Sequence, residues 1–317
     1  MILVLFSTWR WPELKTWDVT IIGGGPAGLS AAMLLGRSVR SVIVIDEGEP
    51  RNAASKAAHG YLTRDGIPPA QFLQLARENL QAYPSVHWQK GTAVHAEITG
   101  YGFETTLADG QTVQSRKLIV ASGMRDHLPP IQGLHEAYGL SIFPCPFCDG
   151  WERRNEPLAL IGHGRKTFEY VKKLYNWSKD IFIFTNGATA FDSDQLDEMS
   201  ARGIKVADER IERLISVDGM LQAVVLADGT SIARSGGFLA DTGAREASDI
   251  PARLGVPADQ NGKYETLAHG KTAVDGLYII GDAKNGFTGI VGAASEGYEA
   301  GTVLVQELAL EDWDRCR

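Results

Sequence analysis

The chain has 317 residues, of which 44% are hydrophobic and 22% are charged, and its formal net charge at pH 7 is −8. This length and composition are those of a globular protein with two or three domains. The excess of acidic residues argues against nonspecific nucleic-acid binding, which depends on clustered lysine and arginine. No apolar run reaches the roughly 18 residues of a membrane-spanning helix, so we expect neither a nucleic-acid nor a membrane partner.

The amino-terminal segment "MILVLFSTWRW" (residues 1–11) is apolar. It lacks the basic start and the small-residue cleavage site of a secretory signal, so we expect an extra strand or a packed arm. The three cysteines of the chain cannot form the even-numbered disulfide framework of a small secreted domain and fit a reducing compartment better. A cytoplasmic location is therefore expected.

The first nucleotide-binding motif follows the apolar segment Asp18–Ile22, which is predicted to be a buried parallel strand. The residues between this strand and the next predicted helix, here called the fingerprint loop, are Gly23, Gly24, Gly25, Pro26, Ala27 and Gly28. In such a G-x-G-x-x-G loop, the glycines permit the turn, the approach of a pyrophosphate and close helix–strand packing. The next predicted strand ends at Asp46, where a carboxylate can bind ribose hydroxyls. This motif predicts a bound dinucleotide.

Two cysteines, Cys145 and Cys148, are separated by two residues in "FPCPFCDGWE". A zinc site would need four ligands, but the third cysteine, Cys316, is next to last and no histidines have the expected paired spacing. A disulfide across two residues closes so small a loop that it stabilises little. The pattern therefore favours a redox dithiol, in which one thiolate attacks a disulfide and the other resolves the mixed disulfide. Asp149 is either a proton carrier for this chemistry or an ordinary turn residue.

A second strand–loop–helix unit begins at Leu158–Ile161 with Gly162 and Gly164, but Thr167 stands at the third glycine position. The strand after it ends in Thr185–Gly187, which offers neither a carboxylate for a ribose nor arginines for a 2′-phosphate. The acidic segment that follows, "ATAFDSDQLDE", would repel a phosphate. We therefore expect the fold of a second nucleotide-binding domain, with a nicotinamide cofactor as a doubtful ligand.

Near the carboxyl terminus, "GLYIIGD" predicts a buried strand that ends in Gly281 and Asp282. An aspartate at this place can bind a sugar or ribityl hydroxyl, or can cap the local turn. A helix of small residues follows, and the backbone N–H groups of Gly289, Ile290 and Val291 at its start suit an electron-rich ring edge.

The order of these motifs, together with "IVASG" at Ile119–Gly123, resembles the low-molecular-weight thioredoxin reductase family from Asp18 to about Leu310. The resemblance implies an α/β fold of two Rossmann-like, three-layer dinucleotide-binding domains, the second inserted into the first. The flavin domain would comprise residues 15–126 and 248–317, and residues 127–247 would form the second domain, which carries the C-x-x-C sequence. It also implies a homodimer with one FAD per subunit.

The resemblance assigns roles to individual residues. Cys148 would lie nearer the flavin, Cys145 would attack the substrate disulfide, and Asp149 would be the acid/base residue. The predicted FAD-binding residues are Gly23, Gly25, Pro26, Ala27, Gly28, Asp46, Asn52, Gly123, Gly281, Asp282, Gly289, Ile290 and Val291.

The sequence also departs from the NADPH-using members of that family, which have an intact second glycine motif and a basic cluster after the next strand. These departures resemble a branch without NADPH motifs, in which the electron donor is ferredoxin or another reductant. We therefore expect a disulfide reductase acting on thioredoxin or on a small thiol or disulfide, with NADPH doubtful as donor. A dithiol oxidase that uses oxygen and a flavin-bound redox sensor without turnover are the alternatives.

Four further residues are candidates for a role near the site. His59 either lies near the flavin or substrate or, as we expect, caps backbone in its loop. Arg153 and Arg154 are expected to be a solvated charge pair rather than a partner-binding patch. Trp313, near the end of the chain, either covers a flavin face or, as we expect, belongs to a frayed terminus.

Overall fold

The computed structural model describes residues 16–187, 191–259 and 262–315. The apolar segment 1–11 and Cys316 lie outside these ranges, so the predictions made for them stay predictions. Within the described ranges, no helix is both long and apolar enough to cross a bilayer.

The strands, in chain order, are β1 (Thr16–Ile22), β2 (Val42–Asp46), β3 (Val86–Lys90), β4 (Ala93–Thr99), β5 (Gly102–Leu107), β6 (Thr112–Val120), β7 (Met124–Arg125), β8 (Ile142–Phe143), β9 (Leu158–Ile161), β10 (Ile181–Phe184), β11 (Lys205–Ala207), β12 (Ile211–Val217), β13 (Met220–Leu226), β14 (Ser231–Ala233), β15 (Gly236–Leu239), β16 (Arg245–Glu246) and β17 (Leu277–Ile279).

The α-helices are α1 (Pro26–Arg37), α2 (Pro69–Leu80), α3 (Leu134–Ala137), α4 (Pro146–Asp149), α5 (Gly164–Leu174), α6 (Ser193–Ser200), α7 (Ile250–Arg253), α8 (Asp282–Asn285) and α9 (Gly289–Arg315). A short 3₁₀ turn covers Ala268–Gly270.

The first sheet has the strand order β3-β2-β1-β6-β5-β4, and β17 also pairs with β6. The strand pairs β3–β2, β2–β1, β1–β6 and β6–β17 are parallel, whereas β4, β5 and β6 form an antiparallel meander. The nine-residue strand β6 serves both parts, because its first half pairs with β5 and its second half with β17. The predicted parallel strand at Asp18–Ile22 is confirmed as part of β1, which is almost wholly buried.

The second sheet has the order β11-β10-β9-β15-β8, and all its pairs are parallel. The antiparallel meander β12-β13-β14 packs beside it and shares its hydrophobic core. The chain is thus an α/β protein with two Rossmann-like dinucleotide-binding domains, as expected from the sequence.

The two sheets are interleaved along the chain. The first sheet takes its strands from residues 16–120 and 277–279, and the second takes its strands from residues 142–239. The two connections lie side by side, because β7 and β16 form a two-stranded antiparallel ribbon in which Arg125 pairs with Arg245. This arrangement supports the predicted insertion of one domain into the other, whose boundaries at residues 126 and 248 stay a prediction.

Helix α9 packs against the backbone of α1. A Cβ atom on Gly297 would lie 2.0 Å from the carbonyl oxygen of Ala27, and one on Gly301 would lie 3.3 Å from the oxygen of Ala31. The small residues of α9 therefore let it approach α1 closely, and the two helices bury one face of the first sheet together.

Ion pairs hold the last turns of α9 against the amino-terminal end of β1. Arg116 lies 2.9 Å from Asp18, 2.6 Å from Glu311 and 2.8 Å from Asp312, and the Lys117 ammonium lies 2.6 Å from Glu311. The fingerprint loop leaves β1 at its other end. The expectation of a frayed terminus around the exposed Trp313 is thus wrong for the residues described, since α9 continues to Arg315.

The contact between α9 and α1 predicts a large effect of one added methyl group. We expect Gly297→Ala to lower the free energy of unfolding by about 2 kcal/mol, because the clash with the Ala27 carbonyl outweighs the better helix propensity of alanine. Urea unfolding of this variant would be compared with Ser295→Ala, an exposed position on the same helix. Equal stability of the two variants would mean that the helices can separate without cost.

Candidate active site

The fingerprint loop has the geometry that its glycines predict. Gly23 has a φ of +105°, and a Cβ atom there would lie 2.3 Å from the carbonyl oxygen of Ala121. A Cβ atom on Gly28 would lie 2.0 Å from the Gly23 oxygen, whereas one on Gly25 would face open space. Gly23 and Gly28 are therefore needed for packing. Gly25 leaves open space at the amino-terminal end of α1, and the first turn of that helix, which begins with Pro26, contains no acidic residue.

Asp46 lies beside this loop, as predicted. Its carboxylate accepts a hydrogen bond of 2.9 Å from the backbone N–H of Gly24 and lies 3.5 Å from the guanidinium of Arg77. The Arg77 guanidinium in turn stacks on the ring of Trp88 at 4.4 Å. The carboxylate is thus fixed at the mouth of the loop.

The other predicted FAD-binding residues that follow strands lie at the carboxyl ends of β6 and β17. Gly123 follows β6 with a φ of +70°, and Gly281 follows β17 with a φ of +69°. The Asp282 carboxylate accepts hydrogen bonds from the N–H (2.9 Å) and the hydroxyl (3.0 Å) of Thr288, so it does cap its own turn. Gly289, Ile290 and Val291 form the first residues of α9.

Two groups near these strand ends lack partners. The Ser122 hydroxyl and both carboxylate oxygens of Glu246 are buried without a hydrogen bond to any described residue. Burial raises the pKa of Glu246 to about 8, Lys263 opposes this rise, and the charge of Asp282 adds to it. A side chain at Gly25, Gly123 or Gly289 would extend into open space. This space, together with the unpartnered oxygens of Ser122 and Glu246, fits a bound dinucleotide that brings its own hydrogen-bonding groups.

Arg51 joins its own loop to Asp126 and to Asp282, and Asp126 extends the network. Its guanidinium lies 2.7 Å from the Asp126 carboxylate and 3.2 Å from that of Asp282. Asp126 also accepts hydrogen bonds from the hydroxyls of Tyr138 (2.9 Å) and Thr242 (2.6 Å). Burial alone would raise the pKa of Asp126, but the bonds from Arg51, Thr242 and Tyr138 hold it below its usual value. Asn52, the next residue, lies half-buried in the same turn.

The two cysteines lie at the start of α4 as free thiols. Cys145 precedes the helix and is 6% exposed, whereas Cys148 is intermediate in burial. A hydrogen bond from the Cys148 thiol lowers the pKa of Cys145, and the same bond, with burial, raises the pKa of Cys148. The first proton to leave the pair therefore leaves a thiolate on Cys145.

Charge around the pair is supplied by both domains. The negative charge of Asp282, at the end of β17, is one of the causes that raise the pKa of Cys148. Burial raises the pKa of Asp149 to about 7, the charge of Glu152 adds to this, and His59 and Arg153 oppose it. Asp149 can therefore both give and accept a proton near neutral pH. Within the described residues, no group of three or more potential metal ligands occurs.

The third glycine position of the second nucleotide motif is filled by a side chain. A Cβ atom on Gly162 would lie 2.6 Å from the Thr167 hydroxyl and 2.7 Å from the Cβ of Ala240. The buried Thr167 hydroxyl donates to the His163 carbonyl at 2.9 Å. After β10, the Asn186 side chain accepts a hydrogen bond from the backbone of β12. Outside this loop, a cavity of about 460 Å³ is lined by Arg165, Lys166, Glu169, Tyr170, Lys173 and Ala240.

Sequence reasoning missed three features of the site. His59 was expected to cap backbone, but its imidazole lies 3.5 Å from Asp65 and 3.6 Å from Glu152. Arg153 was expected to be solvated, but it is mostly buried, donates to the Leu140 carbonyl and pairs with Glu156. The Arg51 contacts were not foreseen because their partners lie 75 and 231 positions away. The only local signal was the unusual density of charged and small residues in "RNAASKAAHGYLTRDG".

Comparison with known proteins covers most of the chain. The profile of the pyridine nucleotide-disulphide oxidoreductase family matches residues 17–297. A probable thioredoxin reductase of Arthroderma benhamiae is 32% identical and covers 95% of this chain and 82% of its own length.

Two solved structures are also similar. A putative thioredoxin reductase, TrxB, from Bacillus anthracis superposes with a TM-score of 0.89 at 33% identity, covering 93% of this chain and 99% of that chain. The crystal structure of HlmI superposes with a TM-score of 0.90 at 31% identity, covering 95% of both chains.

The buried carboxyl of Glu246 predicts a stability change that depends on pH. Its pKa of about 8 in the folded chain exceeds the value of about 4.3 for an unfolded glutamate. The folded state therefore holds this proton more tightly, and the stability it contributes is lost as the pH rises from about 4.3 through about 8. We expect Glu246→Gln to gain thermal stability relative to the parent chain as the pH is raised over this range, in protein stripped of cofactor. Glu49→Gln, at an exposed position, is the control, and a gap that does not grow with pH would contradict the prediction.

Proposed function

The chain belongs to the pyridine nucleotide-disulphide oxidoreductase family as a thioredoxin reductase-like flavin enzyme, and from this premise we propose that it moves electrons between FAD and a disulfide substrate through Cys145 and Cys148. The observation that carries the proposal is the asymmetry of the pair. The Cys148 thiol lowers the pKa of Cys145, and Asp149, with a pKa of about 7, follows directly. Such a pair is poised for thiol–disulfide exchange at neutral pH.

The chain's own residues would hold FAD in the space described above. The open backbone at Gly25 and the start of α1 suit the pyrophosphate, and Asp46 suits the ribose. Asp282 suits the ribityl hydroxyls, and the N–H groups at the start of α9 suit the edge of the ring. When bound, FAD supplies the two-electron chemistry that interconverts the dithiol and disulfide forms of the pair.

The cysteines would reduce a substrate in two exchange steps. The Cys145 thiolate attacks one sulfur of the substrate disulfide, which forms a mixed disulfide and releases one substrate thiolate. Cys148 then gives up its proton and attacks the Cys145 sulfur. This second step forms the Cys145–Cys148 disulfide and releases the other substrate sulfur, so that two electrons pass from the pair to the substrate.

Asp149 would carry protons between these sulfurs and the substrate. Cys148 keeps its proton while Cys145 attacks, because its pKa is raised, and it must lose that proton in the second step. A carboxyl with a pKa of about 7 can accept it and then protonate the outgoing substrate thiolate. This role, implied by the family resemblance, agrees with the burial of the group.

The burial of Cys145 limits which substrates can reach it. At 6% exposure, its sulfur is closed to a protein disulfide in this arrangement of the domains. We therefore propose that the domains move apart before a protein such as thioredoxin can react, while a small disulfide needs less movement. The rings of Phe147 and Trp151, 73% and 65% exposed, would offer an apolar contact to either substrate.

The electron donor is proposed not to be NADPH. Thr167 fills the place of the third glycine in the second motif, and Thr185–Gly187, directly after β10, supply no carboxylate for a ribose. An electron-carrying protein such as ferredoxin, or another reductant, would then feed the flavin. The cytoplasmic location and the homodimer remain predictions that rest on cysteine usage and on the family resemblance.

Replacing each cysteine by serine should separate the two roles. We expect Cys145→Ser to lose turnover by a factor of about 1000 or more while FAD stays bound, since no thiolate can attack. Cys148→Ser should keep the first step and accumulate a mixed disulfide with the substrate, detectable by mass spectrometry. Full activity of Cys145→Ser would exclude the mechanism, and a mixed disulfide on Cys148 instead of Cys145 would reverse the assigned roles.

An anaerobic titration that follows the visible flavin band tests the donor. NADPH, NADH and reduced thioredoxin would be added separately to the FAD-loaded protein, and we expect bleaching only by the dithiol. Rapid stoichiometric bleaching by NADPH would contradict the proposed donor and would leave an ordinary thioredoxin reductase. Fast reoxidation of the bleached flavin by oxygen, with repeated turnover, would favour a dithiol oxidase. Absence of thiol turnover with every donor would favour a redox sensor.

A further inference from the structure

His59 forms a bridge between the two domains. It lies on the segment between β2 and α2, and its Nδ1 atom is 3.5 Å from the Asp65 carboxylate of the same segment. Its Nε2 atom is 3.6 Å from the carboxylate of Glu152, which follows α4 on the other domain. Asp65 is itself fixed, because it accepts a hydrogen bond of 2.8 Å from the backbone N–H of Gly60. The imidazole therefore has one carboxylate from each domain.

Glu152 connects this bridge to the dithiol. It stands three positions after Asp149, and its negative charge is, after burial, the largest influence that raises the pKa of Asp149, whereas the charges of His59 and Arg153 lower it. Asp149 in turn acts on four groups packed around the helix, which are Cys145, Cys148, Tyr138 and Tyr170. Of the charged groups that act on Asp149, His59 alone comes from the segment between β2 and α2.

We propose that His59 is a positioning residue for the dithiol site: it reaches across from the flavin-binding domain, binds Glu152, and so sets the charge around Asp149 when α4 faces that domain. This inference rests on the proposed function of Asp149 and deepens it. The His59 imidazole, 3.6 Å from Glu152, partly offsets the negative charge of that carboxylate. When the domains separate, the contact breaks and Asp149 is left beside an uncompensated carboxylate.

A purely local role for His59 explains less of the geometry. Asp65 alone would anchor the imidazole to its own loop, and a ring that only fastened the loop would need no second carboxylate. Here the second nitrogen is directed to Glu152, and the His59 side chain is 22% exposed while that of Glu152 is 39% exposed. The pair lies at a partly buried boundary, where opposite charges interact more strongly than in open water.

The experiment measures the pH dependence of a single turnover. FAD-loaded, dithiol-reduced protein would react with 5,5′-dithiobis(2-nitrobenzoic acid), and the rate of release of the coloured thiolate would be recorded from about pH 5.5 to about pH 9, across the range where a histidine and a raised carboxyl titrate. In the parent protein we expect an inflection near pH 7, from Asp149. In His59→Gln the inflection should move upward by about 0.5 to 1 pH unit, because Glu152 loses its contact with the imidazole and its negative charge acts more strongly on Asp149.

A double-mutant cycle tests whether Glu152 carries the effect. Glu152→Gln alone should move the inflection downward, and the double variant His59→Gln/Glu152→Gln should stay close to Glu152→Gln alone, because His59 then has no carboxylate left to offset. Asp65→Asn is the matched control: it removes the contact on the loop side, keeps the contact across the boundary, and should shift the inflection less than His59→Gln. A lower rate at every pH with an unmoved inflection would show a structural role only and would overturn the inference.

Asp149→Asn in the same assay separates this inference from the proposed function. If the inflection persists in Asp149→Asn, it does not belong to Asp149, and both the acid/base role and the inference fail. If it disappears in Asp149→Asn but does not move in His59→Gln, the acid/base role stands and the inference alone fails. Unfolding temperatures of all the variants, measured at pH 7, would identify any variant whose fold is damaged. If His59→Gln is damaged, Glu152→Gln tests the contact between His59 and Glu152 by changing the carboxylate instead.

Discussion

The partly buried ion pair between Arg51 and Asp126 is the contact on which the arrangement of the two domains depends. Removing charges from water costs several kcal/mol, so such a pair is stable only when its remaining hydrogen-bonding groups are also satisfied. Here the hydroxyls of Tyr138 and Thr242, from the second domain, donate further hydrogen bonds to Asp126. Arg51 also donates to Asp282 and to the carbonyl of Gly286. A rotation of the second domain would break the hydrogen bonds from Tyr138 and Thr242 to Asp126. The network therefore favours the arrangement in which α4 lies near the strand ends of the first sheet.

The same arrangement determines the electrostatics of the dithiol. The hydrogen bond to the Cys145 sulfur, burial and, last, the negative charge of Asp282 keep the proton on Cys148, while the Cys148 thiol keeps the charge on Cys145. A permanent carboxylate at Asp149 would oppose the thiolate on Cys145, and its burial avoids this by keeping it largely protonated below neutral pH. The reactivity of the pair thus depends first on the bond between its two sulfurs and on burial, and the first domain adds the charge of Asp282.

Features that depend on neighbouring residues could be predicted from the sequence, whereas contacts between segments far apart in the chain could not. The strands around the fingerprint loop, at Leu158–Ile161 and before Gly281 were predictable, because glycine spacing and continuous apolar runs are local signals. The proximity of Asp46 to Gly24 was predictable for the same reason, since parallel strands end at one edge. The contacts of Arg51 and His59 were not, because they join segments far apart in the chain whose charges look like those of any solvated loop.

Burial was the second property that sequence reasoning did not reach. Glu246 and Ser122 read as ordinary polar residues beside strand ends, and only the folded chain shows that their oxygens lack partners. The motif C-P-F-C likewise does not reveal that Cys145 is closed to solvent. In each case the burial arises from contacts of the folded chain, which no local pattern records.

The ribbon of β7 and β16 has a consequence for the stretch of chain between its two strands. Because Arg125 and Arg245 are direct partners in it, the chain leaves and re-enters the first domain at points about 5 Å apart. Closing so small a gap with a tight turn costs little conformational entropy. The first sheet and α9 can therefore assemble whether a short hairpin or a whole domain connects β7 to β16. The geometry of this ribbon therefore sets no lower or upper limit on the length of chain between β7 and β16, so the first sheet does not depend on what the interval contains.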